Sequence, residues 1–256
     1  MAMLATSHLG PETGTPLLIA HGLFGSARNW GVISKRLSSD RPVLTVDMRN
    51  HGESPWFDTQ GYGEMASDLA EVIAANGGTA DILGHSMGGK ASMRLALEHP
   101  ELVRKLVVAD IAPVAYTHTQ MHLVEAMKRL DVADLASRSA ADTRLSTDID
   151  TPAVRAFLLQ SLDLKSDPPR WRLNLDVLGA EMDRITGWED VAGEFARPVL
   201  FLSGAESDYV RPEHRDKIVK LFPNAKFVKI PEAGHWLHAE KPREVEAAVA
   251  AFLAET

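Results

Sequence analysis

Gly84-His85-Ser86-Met87-Gly88 fits G-x-S-x-G, a spacing that can present a serine as a nucleophile. The pattern is short enough to arise by chance, so its setting decides its weight. It follows the apolar run Asp81-Ile82-Leu83 and opens the helical pattern Met87–Glu98, the strand–turn–helix context a nucleophile elbow requires. The turn is tight and the residues beside the serine must be small, which Gly84, Gly88 and Gly89 are. It holds the hydroxyl at a helix N-terminus, where the dipole and free N–H groups favour developing negative charge. The competing reading is a glycine-rich turn with an incidental serine.

A serine hydroxyl needs a base. Among the 10 histidines, His235 stands in Ala233-Gly234-His235-Trp236, after the last expected strand and before the last helix. In an open parallel sheet ligands gather beyond the strand C-termini, so this loop can come near Ser86. His238 is the local competitor and reads as a capping or packing residue. The base in turn needs a carboxylate to fix its tautomer and stabilise the imidazolium. Two aspartates compete. Asp110 ends the strand run Leu106–Ala109, and Asp208 follows Leu202-Ser203-Gly204-Ala205-Glu206-Ser207. Their bland readings are a turn cap for Asp110 and an Asx-turn for Asp208.

Acyl transfer also needs backbone donors for the oxyanion. Met87 N–H, directly after the serine, is one. The second comes from His21-Gly22-Leu23-Phe24-Gly25-Ser26, the loop after the first buried strand, with Leu23 N–H as leading donor and Phe24 N–H as fallback. His21 is read as stabilising that loop. Phe24 and Trp236 adjoin the reacting residues and are expected to wall the substrate site.

These residues need a frame that brings them together. Leu17–Ala20, Val43–Val46, Ala80–Leu83, Leu106–Ala109, Val199–Leu202 and Lys226–Ile230 read as strands, mostly apolar without alternation, as strands covered on both faces are. Helical patterns lie between them at Ala27–Ser38, Gly63–Asn76, Met87–Glu98, Arg211–Leu221 and Arg243–Ala254. This alternation predicts a mostly parallel sheet with helices on both faces. From Val114 to Ala196 no strand is expected, only helical patterns near Thr119–Leu130, Pro152–Leu162 and Leu173–Ile185. A structureless loop of that length is improbable in a compact domain, so the interval reads as a helical cap. The expected division is a core of residues 1–113 and 197–256 with the cap, residues 114–196, inserted. Leu123, Met127, Phe157, Leu158, Trp171, Leu178, Met182 and Trp188 could line an acyl pocket from the cap, although each alone is more simply a packing residue.

Taken together, His21–Ser26, Asp47-Met48-Arg49-Asn50-His51-Gly52-Glu53-Ser54, Gly84–Gly89 and Gly234-His235-Trp236 resemble an α/β-hydrolase over nearly the whole chain. More narrowly they resemble the YbfF-type bacterial esterases and their eukaryotic relatives. The resemblance implies the α/β-hydrolase fold with a helical cap after the sixth strand. It also bears on the acid. In most such enzymes the acid lies three residues after the glycine ending the penultimate strand; here that position is Ser207, and Asp208 is one residue late. The branch implies an aspartate after the earlier strand, which is Asp110, with Ser207 as a hydrogen-bonding helper. Asp47–Ser54 is expected to shape its loop, with Gly52 supplying the turn.

The implied activity is hydrolysis of small to medium acyl esters through a Ser86 acyl-enzyme, with no metal or organic cofactor needed. Thioester hydrolysis on acyl-CoA, C–C bond hydrolysis and perhydrolysis share the scaffold, and a non-catalytic ligand receptor is a further rival. Dehalogenases and epoxide hydrolases of this fold want an aspartate where Ser86 stands.

Composition agrees. The 256 residues suffice for one large α/β domain, and 45% apolar with 24% charged residues is ordinary for a globular chain. The absence of cysteine excludes disulfides, Cys-ligated metals and thiol nucleophiles. A net charge of −8 argues against nucleic acid as a partner. The interval 114–196 carries 14 acidic and 9 basic residues, which favours simple esters over the polyanionic CoA thioesters. No apolar run is long enough to span a membrane and no signal peptide is visible, so a cytoplasmic location is expected. Oligomeric state is left open.

Overall fold

The computed structural model describes residues 3–255. In chain order its strands are β1 (Thr6–Leu9), β2 (Leu17–Ala20), β3 (Val43–Val46), β4 (Ala80–His85), β5 (Val103–Ala109), β6 (Leu162–Asp163), β7 (Arg170–Trp171), β8 (Val199–Gly204) and β9 (Ala225–Ile230). Seven of them form one sheet in the order β1-β3-β2-β4-β5-β8-β9. Only β1 runs antiparallel, against β3. Alternate residues of β2 serve the two faces: Leu18 and Ala20 enter one core cluster, Leu17 and Ile19 the other. That two-sided burial is why the central strands read as continuous apolar runs.

The helices α1 (Gly31–Leu37), α2 (Tyr62–Ala75) and α3 (Met87–Glu98) fall close to their expected positions. Two expected helices open instead with a short 3₁₀ turn, at Ala27–Trp30 and Pro212–His214. β4 runs two residues beyond its expected end, so Gly84 and His85 belong to the strand and Ser86 follows it directly. β1 went unread because four residues with one apolar member, on an exposed edge, carry no hydrophobic period.

Between β5 and β8 lie α4 (Met121–Arg129), α5 (Arg138–Leu145), α6 (Pro152–Leu158), the β6–β7 hairpin, α7 (Leu175–Ala180) and α8 (Met182–Thr186). The hairpin corrects the expectation that this interval holds no strand: Leu162 pairs with Trp171 and Asp163 with Arg170 across the turn. Two-residue strands have no periodicity to read. The expected helix over Leu173–Ile185 is interrupted at Glu181, and α5, which buries only Ala141 and Leu145, is additional. Among the described residues five strands precede the insertion, one fewer than the implied six. Beyond β8 come α9 (Arg215–Leu221), α10 (Leu237–Glu240) and α11 (Pro242–Ala254).

The insertion is tied to the sheet's C-terminal edge by backbone. Asn174 N–H donates to Asn50 O (3.0 Å) and Gly52 N–H to Arg172 O (2.8 Å). Tyr62 donates its hydroxyl to Ile185 O, and the buried Lys90 ammonium donates to Thr186 O and Gly187 O (2.9 and 2.6 Å). Among the described residues no helix is long and apolar enough to cross a membrane.

Candidate active site

Four sharp turns leave consecutive strands at one edge of the sheet. Phe24 after β2, Asn50 after β3, Ser86 after β4 and Asp110 after β5 all adopt left-handed backbone, with φ of 62°, 63°, 52° and 51°. Such conformations are costly for residues with a Cβ and persist only where the surroundings impose them. At Ser86 the surroundings are glycines. A Cβ on Gly88 would sit 2.4 Å from Ala20 O, and one on Gly84 would sit 2.5 Å from Gly88 O. The helix N-terminus can therefore press against β2 only because these side chains are missing. Ser86 N–H donates to Ala109 O (3.0 Å), which fixes the serine against β5.

Ser86 Oγ lies 3.1 Å from His235 Nε2, and His235 Nδ1 lies 2.8 Å from Asp110 Oδ2. With the proton on Nδ1, the ring donates to Asp110 and accepts the serine hydroxyl. Asp110 is fully buried, and two further donors hold its carboxylate. Gly204 N–H reaches Oδ1 at 3.0 Å and the Ser207 hydroxyl reaches Oδ2 at 2.5 Å. Asp208 takes no part in this array. Its side chain is 75% exposed and pairs with Arg211 at 3.2 Å. The one-residue offset after Gly204 thus sends Asp208 to solvent and Ser207 to the carboxylate. His235 is held from behind as well, since His85 Nε2 donates to its carbonyl (2.9 Å). Burial, then His238 and His235, depress the His85 pKa well below the usual imidazole range. His238 stacks on Trp30 (centroids 4.5 Å apart, planes 12°) as a packing residue.

The loop with the expected oxyanion donors is clamped by a reciprocal pair of histidines. His21, after β2, accepts Met48 N–H from the loop after β3 (2.9 Å); His51, after β3, accepts Phe24 N–H from the loop after β2 (3.1 Å). Each ring donates its Nδ1–H to a nearby carbonyl, Gly22 O and Arg49 O, at 2.8 Å. Phe24 N–H is thereby engaged, whereas Leu23 N–H makes no hydrogen bond among the described residues. Leu23 and Met87 border the same cavity as Ser86. The sequence singled out His21 but not the matching role of His51. Asp47 and the left-handed Gly52 shape the neighbouring loop, with Asp47 accepting Ala27 N–H and Glu53 N–H.

Both clamp histidines are buried and neutral. Burial, reinforced by His21, pushes His51 down to about 3 from 6.5. A folded value below the unfolded one means that only the unfolded chain takes up the proton as pH falls below 6.5. Stability from this group is therefore lost from there down to about pH 3. Between pH 7.5 and 5.5 the loss amounts to about 1.4 kcal/mol. Denaturant unfolding of His51→Gln at the two pH values is expected to show a pH dependence flatter than wild type by about that amount. Parallel curves for the two proteins would contradict it.

The relay opens into a cavity of about 450 Å³. Phe24 and Trp236 line it, and of the eight residues named between 114 and 196 only Leu123 and Phe157 do so. Met127, Leu158, Trp171, Leu178 and Met182 are buried in the cap's packing, and Trp188 lies against Tyr62. The sequence missed the cavity's polar wall of Lys90, Tyr116, His118 and Tyr209. Lys90 Nζ, which donates to Thr186 O and Gly187 O, lies 4.7 Å from the Tyr116 ring, and burial lowers its pKa to about 7.

Residues 15–242 match the family described as α/β hydrolase fold. The chain is 39% identical to the sn-1-specific diacylglycerol lipase ABHD11 of Mus musculus, over 96% of this chain and 83% of that protein. It is 38% identical to esterase YbfF of Escherichia coli (strain K12), over 94% of each. Among solved structures, a marine microorganism esterase superposes with a TM-score of 0.94 at 38% identity, covering 98% of this chain and all of the other. By both sequence and architecture, this chain belongs to the α/β-hydrolase family, in the branch that includes the esterase YbfF.

Proposed function

We propose that the chain is a serine carboxylesterase for small to medium acyl esters. The observation that carries this reading is the unbroken hydrogen-bond relay from Ser86 through His235 to Asp110, opening on a cavity with both apolar and polar walls. Ser86 Oγ attacks the ester carbonyl as His235 Nε2 takes its proton. Asp110 holds the tautomer and faces the imidazolium, with Ser207 as its helper. The oxyanion accepts from Leu23 N–H and Met87 N–H. His235 then protonates the departing alcohol, and a water activated in the same way releases the acid. Residues 1–113 and 197–256 act as the hydrolase core and residues 114–196 as the cap over it. The named relatives, an esterase and a diacylglycerol lipase, support ester substrates. The net acidity of residues 114–196, with Asp148 and Asp150 on the cavity wall, disfavours a CoA polyphosphate.

The test is turnover of p-nitrophenyl and CoA esters of increasing acyl length. Oxygen esters of short to medium acids are expected to be the better substrates by kcat/KM. Faster CoA hydrolysis would make the chain a thioesterase, and no turnover of any ester would favour a ligand receptor.

A further inference from the structure

Tyr209 is not a member of the relay, yet its ring lies flat against His235. The centroids are 3.8 Å apart and the planes 15°. The other aromatic neighbours are more distant and tilted: His85 at 4.8 Å and 39°, Trp236 at 6.5 Å and 52°. Hydrogen bonds fix this placement. Tyr209 N–H donates to Ser207 Oγ (3.3 Å), and Tyr209 O accepts the Tyr116 hydroxyl (2.8 Å). That hydroxyl in turn accepts Ala112 N–H, two residues beyond Asp110 (2.9 Å). The Tyr209 hydroxyl is hydrogen-bonded to His118 Nε2 (2.9 Å). One loop after β8 thus holds both partners of the His–Asp pair, with Ser207 on the carboxylate and Tyr209 on the ring.

An aromatic face carries negative quadrupolar charge. It attracts a stacked imidazolium more strongly than a stacked neutral imidazole. In the proposed reaction His235 becomes an imidazolium as Ser86 attacks and again as water attacks the acyl-enzyme, so this attraction is greater in each transition state than in the ground state before it. We propose that Tyr209 is a positioning residue whose ring face stabilises the protonated form of His235 during acyl transfer. This rests on the esterase reading of Ser86 and His235.

The other titratable groups around His235 leave this effect readable. Asp110 faces it from the end of β5. His85 from β4, His238 from α10 and His21 from the β2 loop are kept neutral by burial. Burial, followed by Asp110 and Asp208, pushes the Tyr209 hydroxyl up to about 12, and Tyr116 is also raised. The exposed Glu240 accepts Gly234 N–H, and Arg211 and Asp208 pair beside Tyr209. All three substitutions remove the Tyr209 hydroxyl, so Tyr209→Phe controls for its loss, and the other side chains stay as they are.

The experiment compares wild type with Tyr209→Leu, Tyr209→Met and Tyr209→Phe. It reads kcat and kcat/KM for p-nitrophenyl acetate against pH, and an NMR titration of the His235 ring proton. Both apolar variants cover the imidazole without an aromatic face, so either suffices if the other fails to fold. They are expected to lower kcat about 3- to 30-fold. The acidic limb of kcat/KM and the NMR midpoint should both move to lower pH by about half a unit to one unit. The sign follows because removing the ring face weakens the protonated form. Tyr209→Phe, which keeps that face, should recover most of the loss. A fall in kcat with the limb and midpoint unmoved, or a phenylalanine variant as impaired as the leucine one, overturns the proposal. If wild type hydrolyses no ester the activity reading fails, while the NMR midpoints still decide the role of Tyr209.

Discussion

Replacing Ser86 with alanine is expected to lower kcat for p-nitrophenyl esters by about 10⁵- to 10⁶-fold, the scale found when a nucleophile is removed from such a relay. KM should change by no more than a few-fold, because the cavity wall and the N–H groups of Leu23 and Met87 remain. The residual rate then reports what binding and the oxyanion donors contribute without covalent catalysis. The variant should also fold normally. The left-handed backbone at position 86 is imposed by the contacts of Gly84 and Gly88, not by the serine side chain, so stability should hold within about 1 kcal/mol. Steady-state kinetics and a thermal melt check both halves of this expectation. Retention of more than about one percent of wild-type kcat would exclude Ser86 as the nucleophile.

Much of this site was legible because its chemistry is bound to local sequence. The elbow needs small residues at fixed offsets from the serine, and Gly84 and Gly88 stand where a Cβ would meet backbone oxygens. The central strands declared themselves as apolar runs because the sheet is covered on both faces. Features built from contacts between distant segments were less legible. The His21–His51 clamp joins two loops, and nothing near His51 marks it as the acceptor for Phe24 N–H. Tyr209 meets His235 only because the loops after β8 and β9 run side by side. The cap was visible as a helical interval, but its side-chain directions were not. An apolar residue there serves the cap's interior or the cavity equally well by type, and only Leu123 and Phe157 of the eight candidates border the cavity. Asp110 and Asp208 were equally hard to separate by spacing, since one turn residue reverses the direction of a side chain.

Asp110→Asn is expected to reduce kcat about 10⁴-fold while leaving the fold in place. The reason lies in the donors that converge on this side chain. The carboxylate accepts three hydrogen bonds, from Gly204 N–H, from the Ser207 hydroxyl and from His235 Nδ1–H. An asparagine has one acceptor oxygen and an NH₂ group that only donates. If the oxygen faces Gly204 N–H, the NH₂ is directed at His235 Nδ1. That favours the tautomer with the proton on Nε2, which cannot receive the Ser86 proton. If the amide flips, Gly204 N–H meets a donor in a fully buried position, at a cost of about 1–3 kcal/mol. Either way the carboxylate charge that would face the imidazolium is gone. Ser207→Ala removes one neutral donor and keeps the charge, so a loss of about 10-fold or less is expected. Asp208→Asn changes only an exposed pair with Arg211 and should stay within about two-fold of wild type. Measuring kcat for the three variants at one pH sets them in order. An Asp208→Asn loss larger than that of Asp110→Asn would transfer the acid's role to a side chain that would have to leave solvent to perform it.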